Sequence, residues 1–247
     1  MYKTTMSALL FIMTFTTFAD EVNSEQVAKE RQEWEKRYFS AQGTAVPDGG
    51  VTVLPESRMS AFSIEERAKN KASIQRYGYI KEPSSEAQSL MNFSTEHPLA
   101  PTGSVSSNDE GLHRTISEIH MAYDFHGVPN QEISKDLGVV PSVTYVKDKG
   151  WAGAIQFFEK NEVGTCSYRE NNLIFSHGAA AISEETATRD VNGKVTVANV
   201  KGQKDTGFLY SISWYDNHYF RELNCANAQL SIDKMKSVLK LAQSIDY

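Results

Sequence analysis

The sequence lacks most of the patterns that identify common chemistries. It has only two cysteines in 247 residues, which excludes a disulfide-dense scaffold and a cysteine-rich zinc site. It contains no Gly-x-Ser-x-Gly motif, no phosphate-cradling glycine loop and no EF-hand loop. Most acidic residues occur singly or beside basic ones, and the neighbouring Glu184 and Glu185 would point to opposite faces of a strand, so no pair of carboxylates suggests a hydrolase. We therefore predict no cofactor, no metal ion and no catalytic residue from motifs alone.

Positive charge is also scarce. The chain has 25 Lys and Arg against 31 Asp and Glu, for a net charge of −6, and the basic residues do not cluster. A mildly acidic protein without a basic patch has no electrostatic footprint for nucleic acid or for anionic lipid. Beyond the first residues there is no apolar run of the roughly 20 residues that span a bilayer, so no transmembrane segment is expected in the mature chain.

The first nineteen residues have the three parts of a secretory signal peptide. Lys3 supplies the positive n-region, residues 7–18 form the apolar h-region, and Thr17 and Ala19 are the small residues before the cleavage point. The apolar run is too short to span a bilayer, so a membrane anchor is the weaker interpretation. The cleavage point has no cysteine, so the sequence does not predict a lipoprotein. We expect the mature chain to begin near Asp20 and to be periplasmic or secreted.

The first segment of the mature chain favours a helix that cannot be stable alone. Residues 20–42 are rich in helix formers, but their apolar stripe is narrow and includes Trp34 and Tyr38. A helix this polar does not offset its ordering entropy unless it packs on another surface. Trp34 and Tyr38 are therefore candidates for contacts with a partner.

A second helix and a linker follow. Ser63 and Glu66 have the spacing of a capping box and predict a helix that ends near Gly78. Together with the first segment it completes a helical N-terminal arm over residues 20–78. Residues 79–109 are rich in serine and proline without a sustained period, which predicts a flexible linker.

The remaining residues, 110–247, predict a compact α+β domain. A capping-box match at Ser107 precedes apolar residues at helical spacing up to Tyr123, and this pattern predicts a helix. The period then changes to two, as in strands, and Ser231 caps a final amphipathic helix. We expect a mostly antiparallel sheet packed with an N-terminal and a C-terminal helix, preceded by the arm and linker. The predicted strands are 143–146, 151–158, 164–168, 173–175, 195–200, 208–215 and 219–224.

The two cysteines, Cys166 and Cys225, both fall in predicted strands. In an exported protein an even number of cysteines predicts a disulfide. On the chain-entropy model, the loop closed by this disulfide would stabilise the folded state by about 4 kcal/mol. The alternative is a pair of buried free thiols. A nucleophilic role for Cys166 is disfavoured because the disulfide would remove the thiol.

Histidines are the other candidates for chemistry. On a helix His120 and Asp124 would share a face at a spacing that suits two metal ligands, with His126 just beyond the helix end. His177 follows an apolar strand, a position that suits a catalytic base. No carboxylate partner can be named from spacing for either His126 or His177. The structural interpretation, histidines at element ends, is favoured for all of them.

Aromatic residues are concentrated in the last predicted hairpin, whose turn is at Asp216. Tyr210 and Trp214 share one face of the first strand, and Tyr219 begins the second. These three are candidates for binding a partner or an apolar ligand, because aromatic residues dominate such surfaces. The alternative, which we favour, is that the C-terminal helix covers this face and the aromatics form core.

Residues 207–246, GFLYSISWYDNHYFRELNCANAQLSIDKMKSVLKLAQSID, resemble the last hairpin and helix of small exported α+β domains of bacterial envelope proteins. The polar N-terminal helix and long linker resemble accessory proteins of envelope-spanning secretion machines. The resemblance implies periplasmic residence, a non-enzymatic role in sensing, assembly or binding, and other envelope proteins as partners.

Three functions remain open from the sequence. The leading hypothesis is a non-enzymatic protein-interaction or assembly module that docks through its arm. The second is a periplasmic binding domain for a lipid or hydrophobic peptide, held between the aromatic sheet and its helix. The third is a hydrolase that uses His177 or His126.

Overall fold

The computed structural model describes residues 50–96 and 111–246, with side chains omitted for 94–96. The predicted signal peptide, the first arm helix with Trp34 and Tyr38, and residues 97–110 lie outside this part of the chain. Within the described residues, no helix is both long and apolar enough to cross a membrane.

The described residues form ten strands and three α-helices. The helices are α1 (Ala61–Tyr77), α2 (Ser85–Glu96) and α3 (Ile232–Ile245). The strands are β1 (Gly50–Leu54), β2 (Ile80–Lys81), β3 (Lys135–Val146), β4 (Gly150–Lys160), β5 (Gly164–Asn172), β6 (Ala179–Ser183), β7 (Thr188–Val191), β8 (Lys194–Gln203), β9 (Gly207–Tyr215) and β10 (Tyr219–Asn227).

One large sheet organises the molecule. Its strand order is β2-β8-β9-β10-β5-β4-β3, with β7 also paired to β8. Strands β3 to β5 form one antiparallel meander and β8 to β10 form another, and the two join where β5 pairs antiparallel with β10. The short β2 is parallel to β8. A separate two-stranded parallel sheet pairs β1 with β6.

Local turn chemistry fixes two of the hairpins. Asn192 and Gly193 both have positive φ, as a type I′ turn requires, and they join β7 to β8. At the β9–β10 turn, Oδ1 of Asp216 accepts hydrogen bonds from the backbone N–H groups of His218 and Tyr219, each at 2.8 Å. The turn at Asp216 was predicted from the sequence.

The two core-forming helices lie on opposite faces of the sheet. Helix α3 begins after Ser231, whose hydroxyl caps it, and its buried residues pack against β5, β9 and β10. Helix α2 packs Ala87 and Leu90 against Leu209 and Ala226. Leu209 and Ala226 alternate along their strands with the residues that face α3, so the sheet is covered on both sides.

The α+β prediction is confirmed, but the N-terminal helix predicted between residues 107 and 126 is wrong. The described part of this segment, from residue 111, lies along the edge of the sheet instead. His113 exchanges two backbone hydrogen bonds with Val139, and the carbonyl of His120 accepts one from the N–H of Trp151. These backbone groups bond to β3 and β4, so they are not available for a helix.

The linker prediction for residues 79–109 is also wrong over its described part. Strand β2 and helix α2 occupy residues 80–96. Helix α2 has few apolar residues, but the sheet face it covers is apolar, and this tertiary contact stabilises a helix that sequence propensity alone does not predict. Residues 97–110 lie outside the described chain.

Candidate functional site

The disulfide between Cys166 and Cys225 is present, as predicted. The two cysteines lie directly opposite each other on the paired strands β5 and β10, with their Cα atoms 4.0 Å apart. The bond joins the two meanders of the sheet at the centre of the α3-facing core. Because its thiol is consumed, Cys166 is not a nucleophile in this structure.

The aromatic face of the last hairpin is core. Tyr210 and Trp214 have no exposed surface, and both pack beneath helix α3. This places them where a partner cannot reach them, so their assignment as candidate partner-binding residues is corrected. The same burial removes the predicted cleft between this face and the helix. The physical reason is that α3 buries its own apolar stripe there.

Tyr219, the third candidate of this hairpin, is half-buried and lies beside a buried charge. The guanidinium of Arg221 stacks over its ring at 4.6 Å. The rings of Tyr123 and His126 lie 5.7 Å and 5.5 Å from it. Tyr219 therefore covers one side of a polar cluster within the sheet.

The centre of this cluster is the fully buried carboxylate of Glu170. Its Oε2 accepts hydrogen bonds from Nε of Arg221 at 2.9 Å and from the hydroxyl of Tyr168 at 3.0 Å. Its Oε1 accepts one from the backbone N–H of His126 at 3.2 Å and lies 3.1 Å from Nδ1 of the same residue. The structure thus supplies for His126 the carboxylate that spacing in the sequence cannot name.

Burial controls the protonation of the two phenols beside Glu170. It raises the pKa of Tyr168 well above its ordinary value, and the nearby carboxylate of Glu170 raises it further. The pKa of Tyr123 is raised for the same two reasons. Both phenols remain protonated at neutral pH. Tyr168 therefore donates to the carboxylate of Glu170, and Tyr123 donates to the backbone carbonyl of Glu170.

A second group of charges extends from Arg221 to the end of helix α3. Nη1 of Arg221 donates to Oδ2 of Asp216 at 2.7 Å and lies 3.8 Å from Oδ1 of Asp246. Asp246 also accepts a hydrogen bond from Nε1 of Trp214 at 3.0 Å and one from Lys194. The cluster therefore ties β8, β9, β10 and the C-terminal end of α3 together.

The other histidine candidates are not brought together. His120 and Asp124 lie in the irregular segment and are both exposed, so the helical spacing that would pair them does not occur. His177 is exposed in the turn before β6 with a φ of 50°. Among the described residues, no group of three or more histidine, cysteine or carboxylate side chains could hold a metal ion.

A cleft of about 270 Å³ opens beside His126, between the irregular segment and strands β3 and β4. Its lining includes Val128 and Val139, which are buried. Gln156 on β4 is fixed there because its Oε1 accepts a hydrogen bond from the backbone N–H of Val128 at 2.9 Å. The polar residues of its wall are Arg114, Thr115, His126, Asn130, Asp136 and Gln156.

Helix α1 offers a different kind of surface. None of its 17 residues is buried. It is attached where Nε of Arg67 lies 3.3 Å from the Glu56 carboxylate and where the Ser73 hydroxyl bonds to the backbone of Tyr79 and Lys81. Phe62 is 71% exposed, and Ile74 and Tyr77 are also exposed.

The residues of the buried cluster were not identified from the sequence, although a signal for them exists. Tyr168 and Glu170 on β5, like Arg221 and Leu223 on β10, are two residues apart and share a face of the sheet. A charged residue at a core-facing position of an otherwise apolar strand predicts a buried ion pair.

Comparison with protein-family models, with curated proteins and with solved structures finds no match to this chain.

Proposed function

We propose that this protein is exported to an oxidising compartment, the periplasm or the cell exterior, and acts there as a non-enzymatic interaction module that docks onto another envelope protein. The observation that carries the proposal is helix α1, a 17-residue helix without a single buried residue. A free helix of this length is marginal in water, and packing normally stabilises it. A partner that covers α1 would supply that packing.

The residues of α1 indicate what such a partner would present. At 3.6 residues per turn, Phe62, Tyr77 and Ile74 fall within an arc of about 120° on the helix surface. The helix also has four basic residues and two acidic ones, whereas the whole chain has a net charge of −6. We infer a partner with an apolar groove flanked by acidic side chains.

Export is supported by two independent features. The N-terminal residues have the pattern of a cleavable signal peptide, and the disulfide between Cys166 and Cys225 is typical of proteins that fold outside the reducing cytosol. The proposal predicts that the protein recovered from its native host begins at or near Asp20. N-terminal sequencing tests this, and an intact Met1 on the mature protein would contradict export by cleavage.

Docking through α1 is tested by point substitutions, because a deletion that reached α2 would damage the core. The mature protein is captured from its native envelope with associated proteins, which are identified by mass spectrometry. We expect one stoichiometric partner that is lost in Phe62→Ser and kept in Gln75→Ser. Gln75 is an exposed residue of the same helix and lies away from the apolar arc.

Two outcomes would contradict the docking proposal. One is a partner retained equally by both variants, which would place the contact elsewhere on the molecule. The other is an unfolding temperature that falls in Phe62→Ser, because a side chain this exposed should not stabilise the isolated protein.

A further inference from the structure

The geometry points to a binding site for a small zwitterion, an α-amino acid with an apolar side chain, in the cleft beside His126. The site is distinct from helix α1 and does not depend on the proposed docking function. Its defining feature is a pair of opposite charges, Arg114 and Asp136, that line the same cleft without bonding to each other.

The two charges have no ionic partner among residues 50–96 and 111–246. Glu118 accepts a hydrogen bond from the backbone N–H of Arg114 and not from its guanidinium. Within the same described ranges, Asp136 accepts only the backbone N–H of Gly138, through Oδ1 at 3.0 Å.

The size of the cleft limits the ligand to one small molecule. Its volume of about 270 Å³ is slightly below the range of roughly 300–1,000 Å³ that holds drug-sized ligands. A ligand that fills it would reach both charged walls. The group that complements a guanidinium is a carboxylate, and the group that complements a carboxylate is an ammonium. A molecule with both groups close together is a zwitterion.

The remaining lining fits the rest of an amino acid. Ile116, Phe125, Val128 and Val139 supply apolar surface for a side chain. The amide of Asn130 and the backbone at Gly127 are polar groups that can hydrogen-bond a ligand beside that surface. Gln156 and His126 are held in place by Val128 and Glu170, so this side of the cleft is formed before a ligand binds.

The test uses L-leucine and two analogues that each remove one charge. N-acetyl-L-leucine has no ammonium group, and L-leucinamide has no carboxylate. Binding to the mature protein is followed by the backbone amide NMR signals of Gly127 and Val128. We expect L-leucine to bind at least about tenfold more tightly than either analogue, because each charged hydrogen bond contributes about a factor of ten or more.

Two variants test which charged side chain of the cleft binds which charged group of the ligand. Arg114→Gln should weaken L-leucine about tenfold and abolish the preference over L-leucinamide, while the preference over N-acetyl-L-leucine remains. Asp136→Asn keeps the oxygen that accepts from Gly138. This variant should also weaken L-leucine about tenfold, but it should abolish the preference over N-acetyl-L-leucine and keep the preference over L-leucinamide. Arg58→Gln is the matched control, since Arg58 is exposed and lies outside the cleft lining, and its affinity should equal that of the unmodified protein.

The proposal is overturned by any of three results. The first is the absence of shifts at Gly127 and Val128 at about 10 mM L-leucine, a concentration that would nearly saturate a site with a Kd of about 1 mM. The second is equal binding of L-leucine and its two analogues. The third is an Arg58→Gln variant that weakens binding as much as Arg114→Gln, which would show a nonspecific effect of charge.

Discussion

Nε of Arg221 donates a hydrogen bond of 2.9 Å to Oε2 of Glu170, whose side chain has no exposed surface. The two residues face each other on β10 and β5, at the seam where the two meanders of the sheet meet. Burying two charges is unfavourable unless each is paired and hydrogen-bonded, and here both are. The seam is therefore specified by polar geometry as well as by the nearby disulfide.

The first prediction concerns this ion pair. Arg221→Met should lower the free energy of unfolding by about 3–5 kcal/mol, because it leaves the buried carboxylate of Glu170 without its cation. Glu170→Gln should lower the free energy of unfolding by less, because Arg221 still donates a hydrogen bond to the carboxylate of Asp216. The double variant should be less destabilised than the sum of the two, as measured by urea unfolding. Additive effects would show that the two side chains are not coupled.

The second prediction concerns the disulfide, which joins residues 59 apart in the chain. Cys166→Ala with Cys225→Ala should destabilise the fold by about 4 kcal/mol and lower the unfolding temperature by roughly 10 °C, because the unfolded chain gains freedom. Thermal unfolding with and without a reductant measures this. The reductant should destabilise the unmodified protein and leave the double variant unchanged. A double variant as stable as the original would contradict the prediction.

The third prediction is a dependence of stability on pH through Asp216. Burial by itself raises the pKa of this carboxyl, but the hydrogen bond from Arg221 and those from the backbone of His218 and Tyr219 hold the pKa below its ordinary value. A lowered pKa in the folded state gives stability that is present above the ordinary value and is lost as pH falls through the folded value.

Asp216→Asn isolates this contribution, because asparagine keeps the oxygen that accepts from the turn. At pH 7 the variant should be less stable by about 1 kcal/mol. This is the free energy of a hydrogen bond to a charged group, reduced because Asp216 is partly exposed. The difference should begin to shrink as the pH falls below about 4, the ordinary pKa of an aspartate, and should vanish below the lower pKa that Asp216 has in the folded protein. Urea unfolding over a pH series checks this, and a constant difference would contradict it.

The fourth prediction concerns the indole of Trp214, which donates to Oδ1 of Asp246 at 3.0 Å. Trp214→Phe removes this hydrogen bond near the end of α3 as well as some core volume. Trp151→Phe is the control, because Trp151 is also buried and loses the same volume. We expect Trp214→Phe to be more destabilising than the control by about 1–2 kcal/mol in urea unfolding. Equal losses would mean that packing alone accounts for the effect.

Local sequence determined the elements whose stabilising contacts lie close in the chain. The hairpin at Asn192 and Gly193 follows from two residues that adopt positive φ. The start of α3 at Ser231 follows from a cap within the same turn. Alternation of apolar residues located most strands of the large sheet, and two cysteines behind a predicted signal peptide predicted their bond.

Only the tertiary structure decided the elements whose partners are distant in sequence. Residues 111–126 have apolar residues at helical spacing, yet their backbone bonds to β3 and β4 instead. Helix α2 arises in a segment of linker-like composition because an apolar sheet face covers it. Glu170 acquires its partners Arg221 and His126 from residues about 50 positions away along the chain.

The cleft has the same origin. Arg114 and Asp136 line it together only because the irregular segment lies against the edge of the sheet. The division has one physical reason. A cap or a turn is a contact between neighbours that forms whenever its residues are present, whereas a buried charge or a cleft depends on which distant segments the whole chain brings together.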